Sequence, residues 1–136
     1  MYRREFLMLS AAVAALPTTV LAGDPLEYAE GLVQERLAAG ETVFLDFKAH
    51  WCTTCRAQER VISQLRSENP AYDAITFINV DWDQFGRGAL ATSLNIPRRS
   101  TLVVLKGEQE LGRIVAGTRV SEIRALMDTA LQAATS

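Results

Sequence analysis

The chain's only two cysteines, Cys52 and Cys55, stand two residues apart in the segment LDFKAHWCTTCRAQE, Leu45 to Glu59, between an apolar run and a run with helical spacing. Thr42 to Ala49 is β-branched, aromatic and nearly continuous in apolar character at its start, the pattern of a buried strand. From Thr53 to Arg66 the apolar residues Ala57, Val61, Ile62 and Leu65 recur at helical spacing. A strand that passes straight into a helix puts Cys52 at the helix N-terminus, where unpaired N–H groups and the dipole favour a negative charge. Cys55, one turn deeper, can reach back to the first sulfur, which is the geometry of thiol–disulfide exchange. The alternative is a structural staple. Closing so short a loop constrains the unfolded chain by only about 2 kcal/mol before strain, and stapled secreted domains use several long-range bridges. The strand–CxxC–helix context therefore favours a redox pair.

The remaining pattern suits one α/β domain, as do 136 residues of which 49% are hydrophobic and 22% charged. Leu26, Ala29, Leu32, Val33 and Leu37 form a helical stripe over Asp24 to Ala39, ended by Gly40. After the Asn69-Pro70 turn, Ala74 to Val80 is expected as a strand, Gly88 to Leu94 as a short helix and Thr101 to Leu105 as a third strand. A hairpin around Gly107 leads to Glu110–Ala116, and Ser121 is expected to cap a last helix running to Ala133. The expected order is α-β-α-β-α-β-β-α. The formal net charge of -2 comes from interspersed signs without a lysine or arginine run, so nucleic acid is not an expected partner.

The first 22 residues have the pattern of a secretory signal: Arg3-Arg4, an uncharged stretch from Phe6 to Ala22, and small residues before a cleavage point after Ala22. Arg3-Arg4-Glu5-Phe6-Leu7 resembles the twin-arginine export motif, which points to a bacterial periplasm. The stretch is short for a membrane span and interrupted by Pro17. The expected division is a signal peptide over 1–22 and one domain over 23–136. Cleavage would leave 12 basic and 15 acidic residues, a net charge of -3.

Asp46-Phe47-Lys48-Ala49-His50-Trp51-Cys52-Thr53-Thr54-Cys55 resembles the D-F-W-A-x-W-C-x-x-C active-site segment of the thioredoxin family, and the similarity runs from about Asp24 to Leu131. The resemblance implies a thioredoxin fold, a central mixed β-sheet flanked by helices. It also implies Cys52 as the attacking thiol, Cys55 as the resolving thiol, and Asp46 as the buried carboxylate that handles the Cys55 proton. Trp51 would flank the substrate surface, with a core position as its alternative. Burial would raise the pKa of Asp46 toward that of a proton shuttle. His50 is expected to be solvent-exposed. The continuation Cys55 to Arg60 is similar to the periplasmic thioredoxin-like domain of the membrane thiol reductase DsbD.

Two positions depart from the family pattern. Thioredoxins carry a cis-proline before the strand facing the active site, in a segment of the form I-P-T-L-L-L-F. The matching segment here is Arg99-Ser100-Thr101-Leu102-Val103-Val104-Leu105, so Ser100 takes the proline's place. Pro97 would take it only if the loop carried an insertion. A non-proline cis bond costs about 2.5–4 kcal/mol, so the Arg99–Ser100 bond is expected to be trans and to offer a hydroxyl and an N–H that proline lacks. Arg99, Ser100 and Thr101 would then line the substrate side, with Arg98 and Arg99 adding positive charge. The second departure is Phe77, where thioredoxins have a lysine near the buried aspartate.

The expected protein is a periplasmic, monomeric thiol–disulfide oxidoreductase acting as a reductant, without organic cofactor or metal. A DsbD- or CcdA-type membrane protein would supply its electrons. Three alternatives stay open: an oxidant, an adaptor that uses the fold only for binding, and a soft-metal module holding Cu(I) through Cys52, Cys55 and His50.

Overall fold

The apolar runs assemble into a five-stranded sheet in the order β1-β3-β2-β4-β5 in the computed structural model, which describes residues 24–136. The expected signal peptide lies outside the described residues. The elements are β1 (Leu26–Glu27), α1 (Leu32–Ala38), β2 (Thr42–Lys48), α2 (Thr53–Glu68), a 3-10 turn (Pro70–Ala74), β3 (Thr76–Asp81), α3 (Trp82–Phe85), α4 (Ala89–Ser93), β4 (Thr101–Lys106), β5 (Gln109–Val115) and α5 (Val120–Ala134). β1, β3 and β2 run parallel, whereas β4 and β5 are antiparallel additions. The sheet is therefore mixed, with helices on both faces, as expected.

β2 lies at the centre of the sheet and all but its last residue are buried, which explains its nearly unbroken apolar start. Alternation along the strand divides two cores. Val43, Leu45 and Phe47 pack with Ile78, Val80 and Val103 on the face covered by α1 and α4. Phe44 packs with Leu102 and Val104 against Ile62 and Leu65 of α2 and Ile123 and Met127 of α5.

Several local expectations are corrected. Asp24–Ala39 is not one helix: Leu26 and Glu27 pair with Ile78 and Asn79 as an edge strand, and Gly31, at φ +92°, turns the chain into a seven-residue helix. The strand expected from Ala74 begins at Thr76, because Asn69 caps the Pro70–Ala74 turn by accepting from the Ala71 N–H at 3.1 Å. The short helix α3 joins β3 directly and was not expected; Asp81 caps it by accepting from the Gln84 N–H at 2.9 Å. Ser121 does not cap α5. Arg119 holds that position without a side-chain bond, and Ser121 lies inside the first turn.

Candidate active site at the start of helix α2

β2 ends at Lys48 and α2 begins at Thr53, so the four residues between them turn the chain at the edge of the core. Cys52 is the N-cap residue, and its Sγ accepts the Cys55 N–H at 3.1 Å. A sulfur thus meets one of the helix's first, otherwise unpaired donors. The two sulfurs are bonded, with the Cα atoms 5.2 Å apart, and both residues are buried.

Ser100 closes the site from the opposite side. Its Oγ lies 3.2 Å from both sulfurs. No cis peptide occurs among the described residues, so the Arg99–Ser100 bond is trans, and Ser100, not Pro97, faces the sulfurs. Its φ of +65° is unusual for a side-chain-bearing residue and costs about 1–2 kcal/mol. The N–H that a proline would lack donates to the Phe47 carbonyl at 2.7 Å, extending the β2–β4 pairing past Thr101. The Ser100 carbonyl accepts from Ala116 N–H at 2.8 Å. Thr101 is buried and its Oγ1 donates to the Arg98 carbonyl at 2.6 Å, folding the loop back on itself.

Gln58 holds this loop to α2. It is completely buried, and its Nε2 donates to the carbonyls of Ser100 at 3.0 Å and Gly117 at 2.9 Å. No motif marks it in the sequence, although Gln58 shares a face of α2 with Cys55, Ile62 and Leu65 and is the one amide in that buried stripe.

Asp46 is on the α2 face of β2, in register with Asn79 and Leu102, and is 6% exposed. Its Oδ1 has no hydrogen-bond partner. Burial pushes the carboxyl up to about 7; Lys48 pulls the other way, and Glu59 and Glu27 add to the rise. Lys48 is held by Glu59 at 2.8 Å. Phe77, the second departure, packs its ring against Phe44 at 5.1 Å and under the Arg66 guanidinium at 4.1 Å. A cavity of about 350 Å³ between α2 and the β1 side of the sheet is lined by Asp46, Glu59, Arg66 and Phe77.

Trp51 is an exposed flank, not a core residue, at 49% exposure. Its Nε1 donates to the Asp83 carboxylate at 3.0 Å, and the Arg99 guanidinium lies 4.7 Å from its ring centroid. His50 is open to solvent, with Nδ1 3.9 Å from Asp83. No group of three or more His, Cys, Asp or Glu side chains able to hold a metal occurs among the described residues. The redox group is the disulfide itself, part of the chain, and needs no added cofactor.

The family model for thioredoxin matches residues 24–129. Thioredoxin Asp f 28 of Aspergillus fumigatus is 30% identical over 96 residues, covering 71% of this chain and 84% of that protein. Thioredoxin H5 of Oryza sativa subsp. japonica is 30% identical over 88 residues, 65% of this chain; the match spans less than two thirds of the rice protein, 62%. The solved structure of Trxlp from Edwardsiella tarda is similar with a TM-score of 0.64 at 29% identity, covering 76% of this chain and 95% of that one. A match that takes in the sheet, both cores and the dithiol turn permits one assignment: the chain belongs to the thioredoxin family of thiol–disulfide oxidoreductases.

Proposed function

We propose that the protein is exported to a bacterial periplasm and there reduces protein disulfides. The observation that carries the chemistry is the Cys52–Cys55 disulfide at the N-terminus of α2, with Ser100 Oγ 3.2 Å from both sulfurs and a protonatable Asp46 buried on the α2 face of the sheet. In the reduced protein the Cys52 thiolate, favoured by the helix terminus, attacks a substrate disulfide and expels one substrate thiolate. Asp46 accepts the Cys55 proton. The Cys55 thiolate then attacks Cys52 Sγ, releasing the second substrate thiol and restoring the disulfide. The substrate gains two electrons and the dithiol loses two. The cavity beside Asp46 supports this role by giving its proton a way to solvent. Trp51 and Arg99 form the substrate side, with Ser100 beside the sulfurs; Thr101, expected there too, is buried between β2 and β5 and braces the loop instead.

Export rests on the twin-arginine-like start at Arg3-Arg4 and the Val20-Leu21-Ala22 site. A reductant working in an oxidising compartment needs an electron source, which is why a DsbD- or CcdA-type membrane protein is the proposed partner, with the chain acting as a monomer. Insulin-disulfide reduction tests the activity, and a Cys55→Ala variant should trap the substrate and the electron donor as mixed disulfides on Cys52. Failure to reduce insulin, together with one Cu(I) per chain retained after anaerobic purification, would replace this reading with the soft-metal one. N-terminal sequencing of periplasmic material should begin after Ala22; an intact Met1 overturns the export proposal.

A further inference from the structure

Several long cationic side chains are paired with carboxylates: Arg36 with Glu35 and Glu41, Arg66 with Asp73, Arg113 with Glu110 and Lys48 with Glu59. Four arginines around the dithiol are not. Arg56 follows Cys55 and gives its guanidinium to the His50 carbonyl at 2.7 Å. Arg98 donates to the Arg99 carbonyl at 3.0 Å, and Arg99 stacks on exposed Trp51. Arg119 stands two residues beyond Gly117, which Gln58 ties to the Ser100 loop. Among the described residues none of these four guanidiniums has a carboxylate within 4.0 Å. On the Arg56 side, Glu27, Glu59 and Asp81 line a pocket with Arg56 and Lys48 and offset their charge. On the Ser100 side, Arg98, Arg99 and Arg119 outnumber Asp83, held by Trp51, and Glu122, beside Gly117, so that side is basic on a chain whose net charge is -2.

The basic character continues away from the sulfurs. A groove of about 500 Å³ between α2 and α5 is lined by Arg60, Arg124, Thr118 and Val120, with Glu68 as its one carboxylate. Val120, 47% exposed, gives it an apolar point of contact. The start of α5 and the length of α2 from Ala57 to Glu68 border it. Unpaired cations are seldom left together without a counter-charge, because like charges placed side by side repel and an incoming anion relieves that repulsion.

We propose that this arginine rim is the docking surface for an acidic partner segment: a protein chain whose disulfide is flanked by aspartates or glutamates. The inference rests on the oxidoreductase reading and names its substrate class. Arg99 and Trp51 present a cation on a flat apolar support at the point where a substrate passes Cys52, while Arg119, Arg60 and Arg124 extend the positive potential along the groove. Such a field acts on encounter, so it raises the second-order rate more than it changes the chemistry at sulfur.

The test uses three synthetic peptides with the same intramolecular disulfide and four flanking positions occupied by Glu, Gln or Lys. Full-length reduced protein is mixed with each in stopped flow, and tryptophan fluorescence reports oxidation of the dithiol. At low salt the Glu peptide should react about tenfold faster than the Gln peptide, and the Lys peptide slowest. At about 0.5 M salt the three should converge within about twofold, because screening shortens the field to a few ångströms. Arg99→Gln and Arg119→Gln should each bring the Glu-to-Gln ratio nearer to one. Because the reading is a ratio, a general loss of activity in either variant cancels, and the two variants stand in for each other if one fails to fold. Equal rates for Glu and Gln peptides at low salt overturn the acidic-partner inference and leave the oxidoreductase reading intact. Failure to reduce any peptide overturns that reading and the inference with it.

Discussion

Leu45 and Asp46 are consecutive residues of β2, both buried, and they point to opposite faces of one sheet. Leu45 enters an apolar core under α1 and α4, and the buried polar residue on that face, Thr101 opposite Phe47, has its hydroxyl bonded to the Arg98 carbonyl. Asp46 enters the face covered by α2 and α5, where Gln58, Ser100 and Thr42 are also buried, and where Asp46 Oδ1, Gln58 Oε1 and Thr42 Oγ1 have no partner. A buried polar atom left unpaired costs about 1–3 kcal/mol. One face therefore stabilises the domain, and the other gives up part of that stability to hold a titratable carboxyl and, 3.2 Å from both sulfurs, a hydroxyl.

The sharpest way to break this contrast is Leu45→Ala. Truncating a buried leucine costs about 3–5 kcal/mol through lost burial and the cavity left behind. Equilibrium denaturation should show that loss at every pH, while the folded fraction keeps its thiol-exchange rate. A large change in exchange rate would mean that the apolar face is coupled to the chemistry.

Asp46→Asn should act in the opposite direction. The unfolded carboxyl titrates near 4 and the folded one at about 7. Below pH 4 both forms are protonated and Asp46 makes no difference. As the pH rises from 4 to 7 the unfolded chain sheds a proton that the folded chain keeps, so stability falls, by on the order of 4 kcal/mol in all, and then levels off. The variant lacks this penalty. Compared with the parent it should be more stable at pH 8 and similar at pH 4, while its disulfide-exchange rate falls about 100-fold if Asp46 moves the Cys55 proton. Parallel pH–stability curves for the two proteins would remove Asp46 from the role of buried proton carrier.

The same contrast decides how much could be read beforehand. β2, α2 and β4 were legible because a core face and a helical stripe repeat over six or more residues. Leu26–Glu27 was not: a two-residue strand has no period, and only its pairing with Ile78 and Asn79 defines it. Trp82–Phe85 is a single turn and fails for the same reason. At the site, Cys52 and Cys55 were local, as was the acid interrupting a strand. The Ser100 contact spans 48 residues to Cys52, and the Gln58 bond to Gly117 spans 59, so neither leaves a trace in spacing. What sequence did offer for Gln58 was its place in an apolar stripe, a polar exception of the same kind as Asp46.

Gln58→Leu tests whether that exception positions the loop. The change removes both donated bonds and also the unpartnered Oε1, so the two effects partly offset, and a loss of about 1–2 kcal/mol is expected on denaturation. A merely structural role would end there. If Gln58 positions Ser100, the variant should also react more slowly with iodoacetamide at Cys52 near neutral pH, and Gln58→Glu, which keeps an acceptor but loses both donors, should not restore the rate.

The smallest effect belongs to Ser100, and it separates backbone from hydroxyl. Ser100→Ala keeps the unfavourable positive φ and deletes Oγ, whereas Ser100→Gly deletes Oγ and relieves the backbone by about 1 kcal/mol. The two variants should therefore differ from each other in stability. They should agree in chemistry. In the reduced protein the hydroxyl can donate to a Cys52 thiolate, and a hydrogen bond to a charged group contributes about 1.5–3 kcal/mol, so both variants should alkylate at Cys52 about tenfold more slowly near pH 6.5. At pH 10, where the thiol is ionised with or without help, the rates should come together. Variants that match the parent at both pH values would reduce Ser100 to a spacer between the sulfurs and β4. A Gly variant as fast as the parent beside a slow Ala variant would place the effect in the backbone, and the polar face would then act through loop geometry instead of through its hydroxyl.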